Sequence, residues 1–417
     1  MKSFFITIAF TLLICCTAFA GETLKLADLL AEAGAGNPEL SASERRYQSA
    51  LERVPQAYAL EDPMFGMGFT NVPVESFAFD QEDMTMKEVE LSQKIPFYGK
   101  RGLRRDAAAL DAAAMESEYR EKVIGLRSEV KGVYYELYSI KKALELTEKN
   151  IELMGIFRKV AETSYSVGRG MMKDVLKAQV ESSMLLTKKA ELTREDRTKR
   201  AYLGSLLGRA APVEGVVEEI TPTKVAFDKD SLVKAALGAR PAVKAADARI
   251  KKGSVMVELA NREYFPDFEV TARYGQRDDL KGGFRQSDML SAMVSINLPV
   301  WWRSKQGPAV REAASDRVMA EKEKDALTTE ISYKVGSLLS EIEQDDRITR
   351  LYKEGVIPQA TEDLSSATAG YEVGRVDFLT LLDSRRALYE YEMGYYAALT
   401  EREKAVSELE AATGTEF

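Results

Sequence analysis

The chain has 417 residues, 45% of them hydrophobic and 30% charged, enough for two or three domains and too ordered in composition for a disordered chain. Its net charge of −8 argues against general binding to nucleic-acid phosphate. With no histidine at all, His triads, His metal sites and imidazole pH switches are excluded.

Lys2 opens an apolar run from Phe4 to Ile14 that ends in Ala18-Phe19-Ala20-Gly21. A positive start, a short apolar run and a small-residue cleavage site predict a signal peptide over 1–20. An anchor helix is the alternative, but the run is short for a span of ~20 residues. Lipidation at Cys15 or Cys16 is a further alternative, disfavoured by the Ile14 and Cys15 that precede them. Cleavage leaves a mature, exported chain from Gly21 with neither cysteine, so no disulfide braces it. No later segment is apolar enough for a transmembrane helix, which leaves a β-barrel as the membrane option.

Asn37 is a natural N-cap with Pro38 at the first helical position, and a helical pattern follows to about Leu60. The period then changes to two, predicting strands at about 63–72 and 84–96. Phe65, Met67 and Phe69, then Val89, Leu91 and Ile95, form one side; Glu88, Glu90, Ser92 and Lys94 form the other. Between them, 71–83 reads as a polar hairpin loop. From Lys100 to Tyr165 there is no proline in 66 residues. Val123, Leu126, Val130, Val133, Leu137, Ile140 and Leu144 recur at alternating spacings of three and four, a heptad seam. Long helices are predicted at about 100–165 and 171–207.

Everything then recurs. Pro38, Pro63 and Pro96 reappear 203 positions later as Pro241, Pro266 and Pro299. Tyr165-Ser166-Val167-Gly168-Arg169 returns 206 positions later as Tyr371-Glu372-Val373-Gly374-Arg375. The period is too long for a solenoid unit and indicates a duplicated half-molecule. The first structural repeat is assigned to 21–207, a linker to 208–228 and the second repeat to 229–417. The second holds a helix from Pro241 to about Glu263, strands at about 266–275 and 288–299, and long helices at about 306–371 and 376–412. Phe268, Val270, Ala272 and Tyr274 oppose Glu269, Thr271 and Arg273; Leu290, Ala292, Val294, Ile296 and Leu298 oppose Met289, Ser291, Met293, Ser295 and Asn297. Ile331, Val335, Leu338 and Ile342 continue the seam, Pro358 is expected to kink the helix in its last third, and Arg402 interrupts the heptads of the returning helix.

The fold class predicted is mainly α with a small β part, on a duplicated helix–β-hairpin–long-helix plan. Strands of roughly 9–11 residues suit a tilted bilayer crossing, and Phe97-Tyr98, Tyr264-Phe265 and Trp301-Trp302 at their ends suit an aromatic girdle. Four strands cannot close a membrane barrel, and an open edge in lipid is prohibitive, so the chain must oligomerise. Three chains would give twelve strands, apolar faces to lipid and polar faces to a lumen, continued by a hollow helical tube. A soluble sandwich explains the alternation equally well.

Asn37-Pro38-Glu39-Leu40, Ile95-Pro96-Phe97-Tyr98-Gly99-Lys100-Arg101, Pro266-Asp267-Phe268 and the two Tyr-x-Val-Gly-Arg segments together resemble the TolC-like outer-membrane efflux family. The resemblance covers nearly all of the mature chain, and 92–105 and 297–309 look most similar to its heavy-metal branch. It implies a trimeric twelve-stranded outer-membrane barrel continued by a periplasmic coiled-coil tunnel. It also implies two partners, a periplasmic adaptor (membrane fusion) protein and an inner-membrane resistance-nodulation-division pump. The function expected is the exit duct of a tripartite efflux system, passing heavy-metal cations outward, with drug efflux or type I protein secretion as alternatives. A periplasmic coiled-coil adaptor or structural protein is the alternative from another class. No P-loop, dinucleotide motif, catalytic residue, cofactor site or resident metal is expected.

By resemblance, Asp174 and Asp383 match gate carboxylates, and a ring of such carboxylates, one per chain, would repel anions and attract cations at the narrowest point. Thr380 and Val376 stand where the family carries an acid and a base, with Asp377 and Arg375 as substitutes. The alternative for Asp174 and Asp383 is helix capping. Val167, Gly168, Arg169, Val373, Gly374 and Arg375 are assigned by resemblance to adaptor docking, and their glycines equally serve to end a helix. Met64, Met84, Met86, Met289 and Met293 fall on the polar strand parity, either as soft-metal ligands or as filling for a crowded interior.

Overall fold

The computed structural model describes residues 23–225 and 228–415. The signal-peptide reading of 1–20, the start at Gly21 and both cysteines lie outside the described residues. The first repeat runs β1 (Thr23–Leu24), α1 (Leu26–Gly36), α2 (Pro38–Tyr58), β2 (Met64–Thr70), β3 (Met86–Ile95), α3 (Lys100–Ser166) and α4 (Met172–Leu206). The segment between the repeats holds β4 (Val216–Val217), and the second repeat runs α5 (Lys229–Ala239), α6 (Pro241–Arg262), β5 (Phe268–Gln276), β6 (Met289–Ile296), α7 (Gln306–Leu351), a π turn (Tyr352–Val356), α8 (Ile357–Glu372) and α9 (Phe378–Thr413). The chain is mainly α with a small β part. Helices α1 and α5 start and end 203 positions apart, so the duplicated plan begins one helix before Asn37. The described residues divide into two compact units, one of 23–37, 129–223 and 342–405, the other of 38–128, 224–225, 228–341 and 406–415.

The second unit holds the four-stranded antiparallel sheet, in the order β2-β3-β5-β6. Its register keeps the two side-chain sets apart across every strand. Met67, Val89, Tyr274 and Leu290 are one row of partners; Gly66, Glu90, Arg273 and Ser291 are another. On the central strands β3 and β5 the apolar face is the bare one: Leu91 is 52% exposed and Val270 42%, whereas Ser92 and Thr271 on the polar face are 8% and 5% exposed. A soluble sheet buries its apolar side, so this inversion removes the sandwich alternative and fits a sheet facing lipid. On the sheltered face Arg273 Nη2 lies 2.7 Å from Glu90, and Thr70 donates to Glu88 at 2.6 Å. Gly275 leaves room for Met86, whose Sδ lies 2.5 Å from where a Cβ would stand. Met86 is buried there, as a space-filling methionine would be. Both edges, β2 and β6, lack a partner among the described residues.

Where β3 enters α3, Lys100 turns inward. Its side chain is 1% exposed, and its Nζ donates to Asp267 Oδ1 (2.9 Å), Glu263 Oε2 (3.0 Å) and the Phe265 carbonyl (3.0 Å). The Phe97 N–H donates to the same Asp267 oxygen at 2.7 Å, and the Phe97 and Phe265 rings stack at 4.7 Å. A buried ammonium so fully bonded is tolerated; deprived of its carboxylates it would not be.

In the first unit the seam residues Val130, Val133, Leu137 and Ile140 are buried. Arg402, at a seam position, is buried as well and satisfied. Its Nε lies 2.5 Å from Asp346, its Nη2 donates to the Thr223 carbonyl at 2.6 Å, and Nη1 meets Glu403. Glu403 in turn accepts from the Thr223 N–H (3.2 Å) and hydroxyl (2.8 Å), which pins the segment between the repeats onto α9. That segment also supplies β4, paired in parallel with β1.

The helix bearing Pro358 accommodates the proline with a π turn just upstream. Leu351 and Ile357 keep helical dihedrals on either side of the π turn, and the Ile357 N–H bonds the Tyr352 carbonyl five residues back. Proline lacks a donor and its ring crowds the carbonyl four residues earlier; one extra residue per turn moves that carbonyl aside. Tyr352 also leans over Gly394 of α9, where a Cβ would stand 2.8 Å from its hydroxyl oxygen.

Candidate functional site

Outgoing helices α3 and α8 reverse into α4 and α9 through the two Val-Gly-Arg turns, and the bonds that close the two turns match. Arg169 and Gly170 N–H groups both donate to Ser164 O at 2.9 Å; Arg375 and Val376 donate to Gly370 O at 2.8 and 3.2 Å. Gly168 and Gly374 N–H groups reach Tyr165 O and Tyr371 O, each at 3.0 Å. Gly168 has φ +74° and Gly374 φ +73°, the left-handed conformation that ends a helix and favours glycine. Neither would crowd a Cβ, so conformation alone requires them, and open space surrounds both. Val167 and Val373 are exposed beside them.

The packing beneath the turns is complementary between copies. The second copy has Gly370 under Val376, where a Cβ on Gly370 would lie 2.6 Å from the valine Cγ2. The first has Ser164 facing Gly170, where a Cβ on Gly170 would lie 3.0 Å from the serine Cβ. Each copy keeps one glycine of the pair, on opposite sides. Both turns rest on a core that includes Met154, Val175, Phe378 and Leu382, with Tyr371 edge-on to Phe378 at 5.6 Å.

Between the turns opens a cleft of about 810 Å³, lined by Arg169, Lys173, Asp174 and Lys177 from the first copy and Tyr371, Gly374, Val376 and Asp377 from the second. Asp174 accepts weakly from the Met171 N–H (3.4 Å), so it also caps α4. Asp377 caps α9, accepting from the Thr380 hydroxyl (2.6 Å) and N–H (2.9 Å). The Thr380 hydroxyl first, its amide next and the charges of Lys173 and Lys177 hold Asp377 below the usual carboxylate range. Burial pushes the Tyr371 phenol up, and the Asp174 charge adds to it. The structure therefore brings Asp174 and Asp377 to one cleft. It leaves Asp383 exposed on α9 near Arg386, and Arg375 exposed at the turn, neither among the residues that line the cleft. Lys173, Lys177 and Tyr371 are the charged and polar neighbours that spacing alone does not single out. Among the described residues no group of three or more Asp and Glu side chains is gathered for a metal ion, and no helix is long and apolar enough to cross a membrane.

The family model of outer membrane efflux proteins matches residues 29–209 and 232–415, one stretch in each repeat. The chain belongs to the outer membrane efflux protein family. It is an outer-membrane channel protein and not an enzyme. The cobalt-zinc-cadmium resistance protein CzcC of Cupriavidus metallidurans is 22% identical over 402 residues, 95% of this chain and 91% of that one. The outer membrane protein TolC of Vibrio cholerae is 20% identical over 402 residues, 94% and 90% of the two chains. Among solved structures, VceC from Vibrio cholerae superposes with a TM-score of 0.77 at 18% identity, covering 94% of this chain and 96% of that one. CusC superposes with 0.75 at 18% identity, covering 94% and 92%.

Proposed function

We propose that three copies of this chain close into a twelve-stranded barrel and form the exit duct of a tripartite efflux system, fed by an inner-membrane pump through a periplasmic adaptor. The sheet carries this reading: on its central strands the apolar face is bare and the polar face sheltered, and β2 and β6 are edges without a partner among the described residues, which another copy would cover. Heavy-metal cations are the cargo favoured, since a relative 22% identical over 95% of this chain is a cobalt-zinc-cadmium resistance protein. A toluene efflux pump outer membrane protein from Pseudomonas putida, 25% identical over 361 residues, makes organic solutes the alternative cargo. Deleting the gene and measuring growth against cobalt, zinc and cadmium salts beside toluene separates the two. Sensitivity to toluene alone rejects the metal reading.

The Val-Gly-Arg turns, Val167 to Arg169 and Val373 to Arg375, are the adaptor's docking points, because exposed valines flank glycines with open space above them. Asp174 and Asp377, with Arg375 and with Asp383 farther along α9, form the charged constriction. In planar bilayers, Asp174→Asn with Asp377→Asn is expected to lower cation selectivity and weaken block by multivalent cations. Unchanged selectivity and block would reduce these carboxylates to helix caps.

A further inference from the structure

Each repeat passes from its second strand to its long helix through a turn, Phe97-Tyr98-Gly99-Lys100 in the first and Val300-Trp301-Trp302-Arg303 in the second, 203 positions apart. The aromatic at the second place is outermost in both, Tyr98 at 88% and Trp301 at 74% exposed. The cations at the fourth place do opposite things. Lys100 is buried and spent on Glu263, Asp267 and a carbonyl. Arg303 stands over the Trp302 ring, its guanidinium carbon 5.1 Å from the centroid, and no carboxylate pairs with it or with Lys305 among the described residues. The turn is built: Ser304 and Lys305 N–H groups donate to Trp301 O at 3.0 and 2.9 Å, and the Gly307 N–H to Trp302 O at 2.8 Å. Exposed Leu298 carries the bare apolar face of β6 down to it.

We propose that Val300–Lys305 docks the headgroup of an anionic phospholipid, of the phosphatidylglycerol class, in the periplasmic leaflet of the outer membrane; this rests on the outer-membrane duct reading above. Exposed indoles at the end of a lipid-facing strand lie at headgroup depth, where amphipathic rings are most stable. A guanidinium stacked on an indole keeps its edge N–H groups for acceptors in its own plane, and phosphate oxygens fit that fork. Lys305, two residues on, supplies a second positive charge with no internal partner. In the first repeat the cation at the fourth place is spent, and the next residue, Arg101, gives its Nε to the Tyr58 carbonyl at 2.7 Å and its face to the Tyr58 ring at 4.4 Å, so the second repeat offers the less encumbered pair of cations.

Trp301 and Trp302 are the chain's two tryptophans, so its indole fluorescence reports this turn and nothing else. The full-length protein is reconstituted in phosphatidylcholine vesicles containing a minor fraction of lipid with brominated, fluorescence-quenching chains. Brominated phosphatidylglycerol is compared with brominated phosphatidylcholine at the same fraction. The anionic lipid is expected to enrich beside the indoles about fivefold or more, the contribution of one to two cations near a surface, and to lose that advantage in high salt. Arg303→Gln with Lys305→Gln is expected to bring the ratio to about one while quenching by both lipids persists. Equal quenching in the unaltered protein, or a preference that survives the double substitution, overturns the headgroup site and leaves the duct intact. Absence of quenching by either lipid overturns the membrane reading along with it.

Discussion

The two helical reversals and the two strand-to-helix turns came from the same duplication and aged differently. The reversals still share the backbone hydrogen bonds that close the turn, down to the left-handed glycine and the carbonyl six residues before the turn's end. The strand-to-helix turns share an exposed aromatic, but the cation that follows is a buried brace in one copy and a free surface charge in the other. A feature made by the backbone survives duplication because many side chains satisfy it. A feature made by one side chain is free to change its role once a second copy exists. The π turn beside Pro358 fits the same rule: it has no counterpart in α3, which runs unbroken from Lys100 to Ser166.

The largest effect should fall on the braced cation. Lys100→Met removes three hydrogen bonds from a buried ammonium, to Asp267, Glu263 and the Phe265 carbonyl, and is expected to cost about 3–5 kcal/mol, read as loss of the assembled oligomer on heating. Arg303→Met, at the equivalent place, should shift it by no more than about 0.5 kcal/mol. Equal costs would erase the distinction between brace and free charge. Next comes the sheet: Val294→Lys puts a charge on the bare apolar face and is expected to cost roughly 2–4 kcal/mol of barrel stability. Ser295→Lys, facing Glu269 across the register, should be nearly neutral in the same assay.

The reversals offer a sharper test. Gly370→Ser alone drives a Cβ into Val376 and is expected to cost roughly 1–3 kcal/mol. Adding Val376→Gly recreates the first copy's arrangement and should recover most of it; a double variant no better than the single would mean the two copies are not interchangeable. The smallest effect concerns Glu392 of α9, whose carboxyl is raised above its usual range by burial, against the opposing charges of Arg385 and Lys149. One of its oxygens is buried without a hydrogen-bond partner. A carboxyl raised in the folded state binds more protons there than when unfolded, so stability declines as pH rises above the unfolded value. Glu392→Gln should therefore stabilise by about 0.5–1 kcal/mol near neutral pH, with the gain vanishing in acid, as thermal unfolding across pH would record.

Much of the fold was legible because lipid and coiled coils both impose strict periods. Alternation in β5 and β6 is clean since one face meets hydrocarbon, and the seam from Val130 to Ile140 is clean since each position is buried. What escaped notice had no period to show. Two-residue strands β1 and β4 are too short to alternate, and α1 is only three turns long and ends in Gly34-Ala35-Gly36. The π turn left no mark in Tyr352-Lys353-Glu354-Gly355-Val356, because its cause lies downstream in Pro358 and across the pair at Gly394. At the candidate site, the matching turns were readable from five repeated positions. The meeting of Asp174 with Asp377, and not with Asp383, depends on which side of each helix faces the cleft, and heptads near a reversal do not specify that.

The central pairing of the sheet sets a schedule for making the protein. Ile95 of β3 pairs with Phe268 of β5, 173 positions later, and Thr23 of β1 waits for Val216 of β4. A chain exported from its N-terminus therefore delivers its first hairpin long before the partner strand exists. At ~5–20 residues per second the delay is on the order of ten seconds or more, with the apolar face of β2 and β3 uncovered throughout. Biogenesis must therefore shield a half-made chain during export, and a copy truncated between the repeats has an unpaired hairpin that no later step can rescue.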